Sequence, residues 1–300
     1  MIMRKANFPD RRQITDLWAR VFGDDKTVSE RILDDFAGTG NVYVAEEGQH
    51  IIAQLLSVPC QAGGHKGSYL YALATEPEYR GKGVMSRLMD YARTSITATG
   101  ASFFVLIPAS RSLFDYYESY GFQSIYMQNM ECSLDHIFQM TDTDNICDSN
   151  FIKDRIPADT FMALRQKYLD TDYVRFSEDK VAFELEEQWY YECESVYCDE
   201  GYVIYMKVDD TLFVTEVVAS HQNMAQNLIL SAGKSTDCKD VSITIPENSK
   251  LFSNSICSKN KTSQAQYKWW GKQDAPRFYI RYALDDLPAR IQTNQRDIIL

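Results

Sequence analysis

Residues 76–92 read EPEYRGKGVMSRLMDYA. Three cations, Arg80, Lys82 and Arg87, gather here in a chain of 300 residues whose formal net charge is −11. Upstream, SYLYALAT (68–75) is an apolar run with strand-forming residues. Downstream, Val84, Leu88, Ala92 and Ile96 recur every four residues, the spacing of a helix that packs one face on a sheet. A strand, a short glycine-bearing loop and a helix, in that order, aim unpaired N–H groups and the positive end of a helix dipole at one point. Gly81 and Gly83 allow a ligand to approach the backbone with no Cβ in the way. The stretch is therefore read as a site for phosphate or pyrophosphate.

Two common phosphate loops do not fit it. A Walker loop needs Lys followed by Ser or Thr, and here Lys82 is followed by Gly83. A dinucleotide fold needs GxGxxG tight against its first strand and an acid at the end of the next one. Ser86 replaces the third glycine, TEPEYR intervenes before the first, and ASFFVLI (101–107) ends without an acid.

Composition narrows the class. With 45% hydrophobic and 24% charged residues the chain is globular, long enough for two domains or one large one. No run approaches the ~20 apolar residues of a membrane helix. The first ten residues, MIMRKANFPD, lack a secretory apolar core, so a cytoplasmic location without membrane contact is expected. Seven scattered cysteines form no CxxC pair and no His lies at zinc-finger spacing, which predicts reduced structural thiols and no metal. An acidic chain with a pI near 4.9 argues against a nucleic-acid partner and suits a small cationic substrate.

The first half alternates element types: a strand over MIMRKAN, a helix over 9–22, a second over about 27–36, and strands at 41–47 and 51–59 about an EEGQ turn. SYLYALAT, the motif helix, a buried strand at 101–107, a short helix at 111–120 and a strand at 122–130 follow. MTDTDNICDSN (140–150) loses all periodicity, and the domain boundary is placed there, giving segments 1–140 and 150–286 and a tail 287–300. The second half echoes the first. IPASRSLF (107–114) and IPENSKLF (245–252) share Ile, Pro, Leu and Phe at a constant offset of 138 residues. Each is preceded by strand, helix and strand, in the second half TLFVTEVVA, NMAQNLILSAG and DVSITI. This is a degenerate internal duplication whose second copy has no counterpart of RGKG.

The stretch resembles motif A of the GCN5-related N-acetyltransferases (GNATs): Arg or Gln, two residues, Gly, one residue, then Gly or Ala. Arg80, Gly81, Lys82, Gly83 and Val84 follow the pattern, and Met85 stands where the small residue belongs. That departure, with the internal echo, resembles the enhanced-intracellular-survival branch, whose chains hold two tandem acetyltransferase folds and normally a further sterol-carrier-like domain, for which 300 residues leave no room. The resemblance implies an α/β fold with a mixed sheet, the acyl-CoA N-acyltransferase fold in tandem, its second copy degenerate. It implies acetyl-CoA as co-substrate and a primary amine as acceptor, whether a small metabolite amine, an aminoglycoside-like polyamine or a protein lysine. Leu73, Ala74 and Thr75 would pair with the pantetheine arm through their backbones, in a register that Pro77 supports. The pyrophosphate would sit on Arg80, Gly81, Lys82, Gly83, Val84, Met85 and Ser86.

FDYYESYGF (114–122) resembles the short helix and Gly-Phe that close the cofactor site in this family, where a Tyr four residues before the Gly often protonates the departing thiolate. Here that is Tyr117. An amine attacks the thioester carbonyl, and a nearby phenol is suited to supply the proton the leaving sulfur needs. Tyrosines on a helix face are also ordinary packing residues. Ser112 is a lesser cofactor contact, or a helix-start residue. The base stays open between the C-terminal carboxylate of Leu300, which serves in the resembled branch, Glu76 and a water; Glu78 and His65 read as solvated loop residues. Trp189, Tyr190, Tyr191, Trp269 and Trp270 are candidates to line an acceptor cleft, and Glu184, Glu186, Glu187, Glu192 and Glu194 to attract an amine, although such aromatics are more often core or subunit contacts. A homo-oligomer is left open. The competing class is a non-catalytic acyl-CoA sensor or scaffold, in which the loop holds the cofactor and nothing is turned over.

Overall fold

The computed structural model describes residues 1–141, 150–169, 172–246, 249, 251–252 and 258–271. In the first half, β1 (Ile2–Lys5) is followed by a 3-10 turn, then α1 (Arg11–Phe22) and α2 (Lys26–Arg31). The strands β2 (Val42–Glu47), β3 (His50–Ala62) and β4 (His65–Thr75) form an antiparallel meander with β1 on its outer edge. After β4 come a 3-10 turn (Pro77–Tyr79), α3 (Val84–Thr97), β5 (Phe103–Leu106), α4 (Arg111–Ser119), β6 (Gln123–Ser133) and α5 (Leu134–Met140). The helix expected over 27–36 divides in two: α2 gives way to a π-helical stretch, Ile32–Ala37, that buries Ile32, Leu33 and Phe36 together.

The second half runs β7 (Ile152–Lys153), α6 (Ala158–Tyr168), α7 (Glu178–Tyr190), β8 (Glu194–Cys198), β9 (Gly201–Val208), β10 (Thr211–Ala219), α8 (Gln222–Thr236), β11 (Asp240–Pro246) and β12 (Ser258–Trp269). All twelve strands join one sheet in the order β1-β2-β3-β4-β5-β12-β6-β11-β10-β9-β8-β7. The two ends mirror each other. β4 is parallel to β5 across the α3 crossover, and β10 is parallel to β11 across α8. In the middle, strands pass between halves: β12 lies antiparallel between β5 and β6, while β6 pairs with β11. The repeated IP motifs sit in matching places, Ile107 and Pro108 just after β5, Ile245 and Pro246 at the end of β11.

Both faces of the sheet are covered. On one, α3 buries Val84, Met85, Leu88, Met89, Ala92 and Ile96 against Tyr43, Leu55, Leu70 and Phe104. Each large side chain among them contributes about 1.5–3 kcal/mol of burial. On the other, α1 and the π-helical stretch meet α7 through an aromatic cluster in which Phe36 stacks on Phe183 at 5.4 Å and lies 6.1 Å from Tyr71. Arg31 pairs with Glu187 there and covers Phe183 at 5.4 Å, and Lys180 donates to the Asp35 carbonyl at 2.7 Å. No helix among the described residues is long and apolar enough to cross a membrane.

Candidate active site

β4 and β5 are hydrogen-bonded neighbours only over Ser68–Phe104 and Tyr69–Val105. Beyond Tyr69 they part, and a backbone irregularity marks the place: Ala72 has φ +48°, and the β3–β4 register shifts between Gln54 and Leu56. Two residues of β4 oppose one of β3 there, a bulge that bends the strand away from its former partner. Leu73 is the second residue of the bulge, and Ala74 and Thr75 form the end of the strand past it. They stay paired to β3 through Gln54–Ala74 and Ala53–Thr75, so their other edge faces the opening. Backbone groups on such an edge need partners, and an extended ligand can provide them in the manner of an added strand.

The glycine loop stands at the mouth of this opening. Gly81 and Gly83 have φ of +72° and +69°, values that favour glycine, and a Cβ built on Gly81 would meet open space. No acid lies in the first turn of α3, which leaves its positive end uncompensated. The cations brace the turn. Arg80 donates from Nε to the Thr75 carbonyl at 3.1 Å, and Arg87 donates to the carbonyls of Gly83 and Lys82, both at 3.2 Å. Lys82 lies over the Tyr79 ring at 5.2 Å. Val84 and Met85 point the other way, into the core shared with Leu88, Phe104 and Phe122. Met85 is thus accommodated because its side chain fills the sheet–helix interior.

α4 places Tyr117 in that same buried cluster. Its ring lies 5.1 Å from Tyr116 and 5.5 Å from Phe122, and 6% of the residue is exposed. Burial, assisted by the nearby Tyr116, pushes the phenol well above its ordinary pKa, so it keeps its proton throughout the neutral range. Ser86, the third residue of α3, has its Oγ 2.5 Å from the Tyr120 hydroxyl, and the Tyr116 and Tyr120 rings are 5.0 Å apart. Burial pushes the Tyr116 phenol up to about 12, with Tyr120 adding to the shift. Tyr116 and Tyr120, which link Ser86 at the glycine loop to α4, are not among the sequence-predicted site residues. Their signal lay in YYESY directly before Gly121. Ser112 is exposed in the first turn of α4, 3.1 Å from Ser110 through their hydroxyls.

Other expectations need correction. His65 lies at the opposite end of β4 from Thr75, roughly 30 Å of strand away, with its ring 4.9 Å from Trp269. Trp269 pairs in register with Phe103, and Trp270 donates to the Ala101 carbonyl at 3.1 Å while packing on Phe104. Both tryptophans therefore close the far end of the sheet and line no cleft beside the glycine loop. Glu184 and Glu187 are buried in α7, Glu187 on Arg31, and Glu194 accepts a hydrogen bond from Tyr205 at 2.9 Å. Glu184 and Glu187 are structural acids; Glu186, Glu192 and Glu194 are exposed. Glu76 stays near the loop, held by Arg20, whose Nε donates at 3.1 Å. Leu300 lies outside the described residues.

Residues 3–125 match the family model described as an acetyltransferase (GNAT) domain. No curated protein matches the chain. Among solved structures, a GCN5-related N-acetyltransferase from Kribbella flavida is 18% identical, with a TM-score of 0.69 over 90% of this chain and 72% of its own. Eis1 from Mycobacterium abscessus is 13% identical, with a TM-score of 0.71 over 90% and 74%. A putative acetyltransferase from Pyrococcus horikoshii is 13% identical, with a TM-score of 0.55 over 94% and 95%. At these identities the structural likeness concerns the fold.

Proposed function

We propose that this chain, which carries a GNAT domain over residues 3–125, is a cytoplasmic N-acetyltransferase that moves the acetyl group of acetyl-CoA to a primary amine by direct attack. The observation that carries the reading is the glycine loop opening α3 beside the parting of β4 and β5, with a protonated phenol behind it. When bound, acetyl-CoA supplies an activated thioester. The backbones of Leu73, Ala74 and Thr75 hold its arm as a strand would, and the amides from Gly81 to Ser86, with Arg80 and Lys82, hold its pyrophosphate. An N–H of the bulged segment is suited to stabilise negative charge on the carbonyl oxygen. Tyr117 holds a proton at its phenol oxygen for the departing sulfur. The amine, drawn by the chain's negative charge, attacks directly, and no covalent enzyme intermediate is needed.

We read residues 1–140 and 150–286 as two copies of one fold, the second without a cofactor loop. The mirrored strand order supports this. The deciding experiment is a thiol-release screen with acetyl-CoA against small amines, polyamines and lysine peptides. Release that depends on an amine supports the transferase; cofactor binding without turnover of any amine supports the sensor reading instead.

A further inference from the structure

β12 carries two side chains from the far part of the chain to α4. Gln266, fully buried, donates its Nε2 to the Phe114 carbonyl at 3.1 Å. Lys268 donates its ammonium to the Tyr120 carbonyl at 2.5 Å. These residues are two apart on one strand and so share a face. Their acceptors stand three residues before and three residues after Tyr117. The register makes the arrangement specific: Gln266 sits between Leu106 on β5 and Ser124 on β6, at the end of the sheet where β4 and β5 part.

A helix of nine residues is too short to hold its own conformation. Backbone N–H groups of residues 120–122 satisfy the carbonyls of Tyr117 and Glu118, while the carbonyl of the C-cap residue Tyr120 needs a donor from elsewhere. Lys268 supplies one together with a positive charge at the negative end of the helix. Its stem crosses Gly121, where an added Cβ would lie 3.9 Å from the lysine Cε. Gln266 holds the other end of the turn. Its Oε1 is buried without a partner among the described residues, a cost that the Nε2 bond to α4 has to offset. Two donors from one strand thus fix both the rotation of α4 and its height above the sheet.

We infer that Gln266 and Lys268 are positioning residues for Tyr117, so that the second half of the chain enters the reaction by orienting the proton donor of the first. This rests on the reading of Tyr117 given above. The test is a double-mutant cycle in the full chain, read as thiol release from acetyl-CoA with an amine acceptor. Gln266→Leu and Lys268→Met are made singly and again in a Tyr117→Phe background, with Lys268→Arg as the conservative variant.

In the native background each is expected to lower kcat by about tenfold, the scale of a slight misplacement of a reacting group, while KM for acetyl-CoA stays within about twofold. Lys268→Arg is expected to restore most of the rate. In the Tyr117→Phe background neither substitution should lower the rate further. Equal losses in both backgrounds, or a raised KM with kcat unchanged, would overturn the positioning role and leave Tyr117 as the donor. A Tyr117→Phe chain as active as the native one would instead remove the donor reading itself. Lys268 is only half-buried and Met keeps its stem, so that variant carries the test even where Gln266→Leu does not fold.

Discussion

The hydroxyls of Ser86 and Tyr120 lie 2.5 Å apart and join the first turn of α3 to the end of α4. One helix opens at the glycine loop and the other bears Tyr117, so this bond couples the loop proposed to hold the cofactor to the phenol proposed to protonate its sulfur. Tyr120→Phe removes this bond and the hydrogen bond to the Tyr116 hydroxyl while keeping the ring. It is expected to lower stability by about 1 kcal/mol and to weaken acetyl-CoA binding by about fivefold. Urea unfolding and calorimetric titration check the two effects.

Gly81 separates strain from ligand contact. Its left-handed backbone means that Gly81→Ala costs roughly 1–2 kcal/mol of stability, and no neighbouring atom adds a clash. If the loop holds a pyrophosphate, the new methyl group also stands where the ligand must come. Acetyl-CoA affinity should then fall by well over tenfold, more than the loss of stability implies. An affinity that stays unchanged would argue against the loop as the pyrophosphate site.

Tyr117 makes an alkaline signature. Its folded pKa is raised above the ordinary 10.0 by burial, so the native state holds the proton more tightly than the unfolded chain. Below pH 10 both states are protonated and stability does not depend on this group. Above pH 10 the unfolded chain loses the proton first, and stability falls as pH rises toward the folded value. Thermal melts of native and Tyr117→Phe chains should run parallel up to pH 10 and converge above it. The proton-donating form persists across pH 7–10, so thiol release should show no descending limb from Tyr117 in that range.

In the second half, Arg165 and Glu216 form a buried pair through two bonds of 2.9 Å, and Tyr202 donates to the same carboxylate. Arg165→Met strands a buried carboxylate and is expected to cost about 3–5 kcal/mol in urea unfolding. Replacing both partners with apolar residues should recover much of that loss.

Local pattern revealed the elements whose partners are near in the chain. α3 announced itself by its four-residue period, β4 by its apolar run, and the loop by two glycines between them. α5 escaped because LDHIFQM precedes the aperiodic stretch and is only seven residues long. The largest omission was β12. SKNKTSQAQYKW has no apolar run and only a faint alternation, yet it lies in the middle of the sheet. Its place is set by pairing with β5 and β6 from far upstream, and pairing across that separation leaves no local trace. Trp269 and Trp270 were misplaced for the same reason: their surroundings follow from the register of β12, and nothing in WW itself indicates which end of the sheet it closes. Gln266 and Lys268 look like ordinary polar residues until that register is known.

The insertion of β12 between β5 and β6 also bears on how the protein is made. A ribosome releases β5 and β6 with a strand-wide gap between them, and some 125 residues of further synthesis separate the end of β6 from the start of β12. At ordinary elongation rates the gap stays open for on the order of ten seconds. During that interval the facing edges of β5 and β6 stay unpaired, the surface most prone to capture a wrong partner. The half that holds the glycine loop is therefore the first to be synthesised and among the last to be completed.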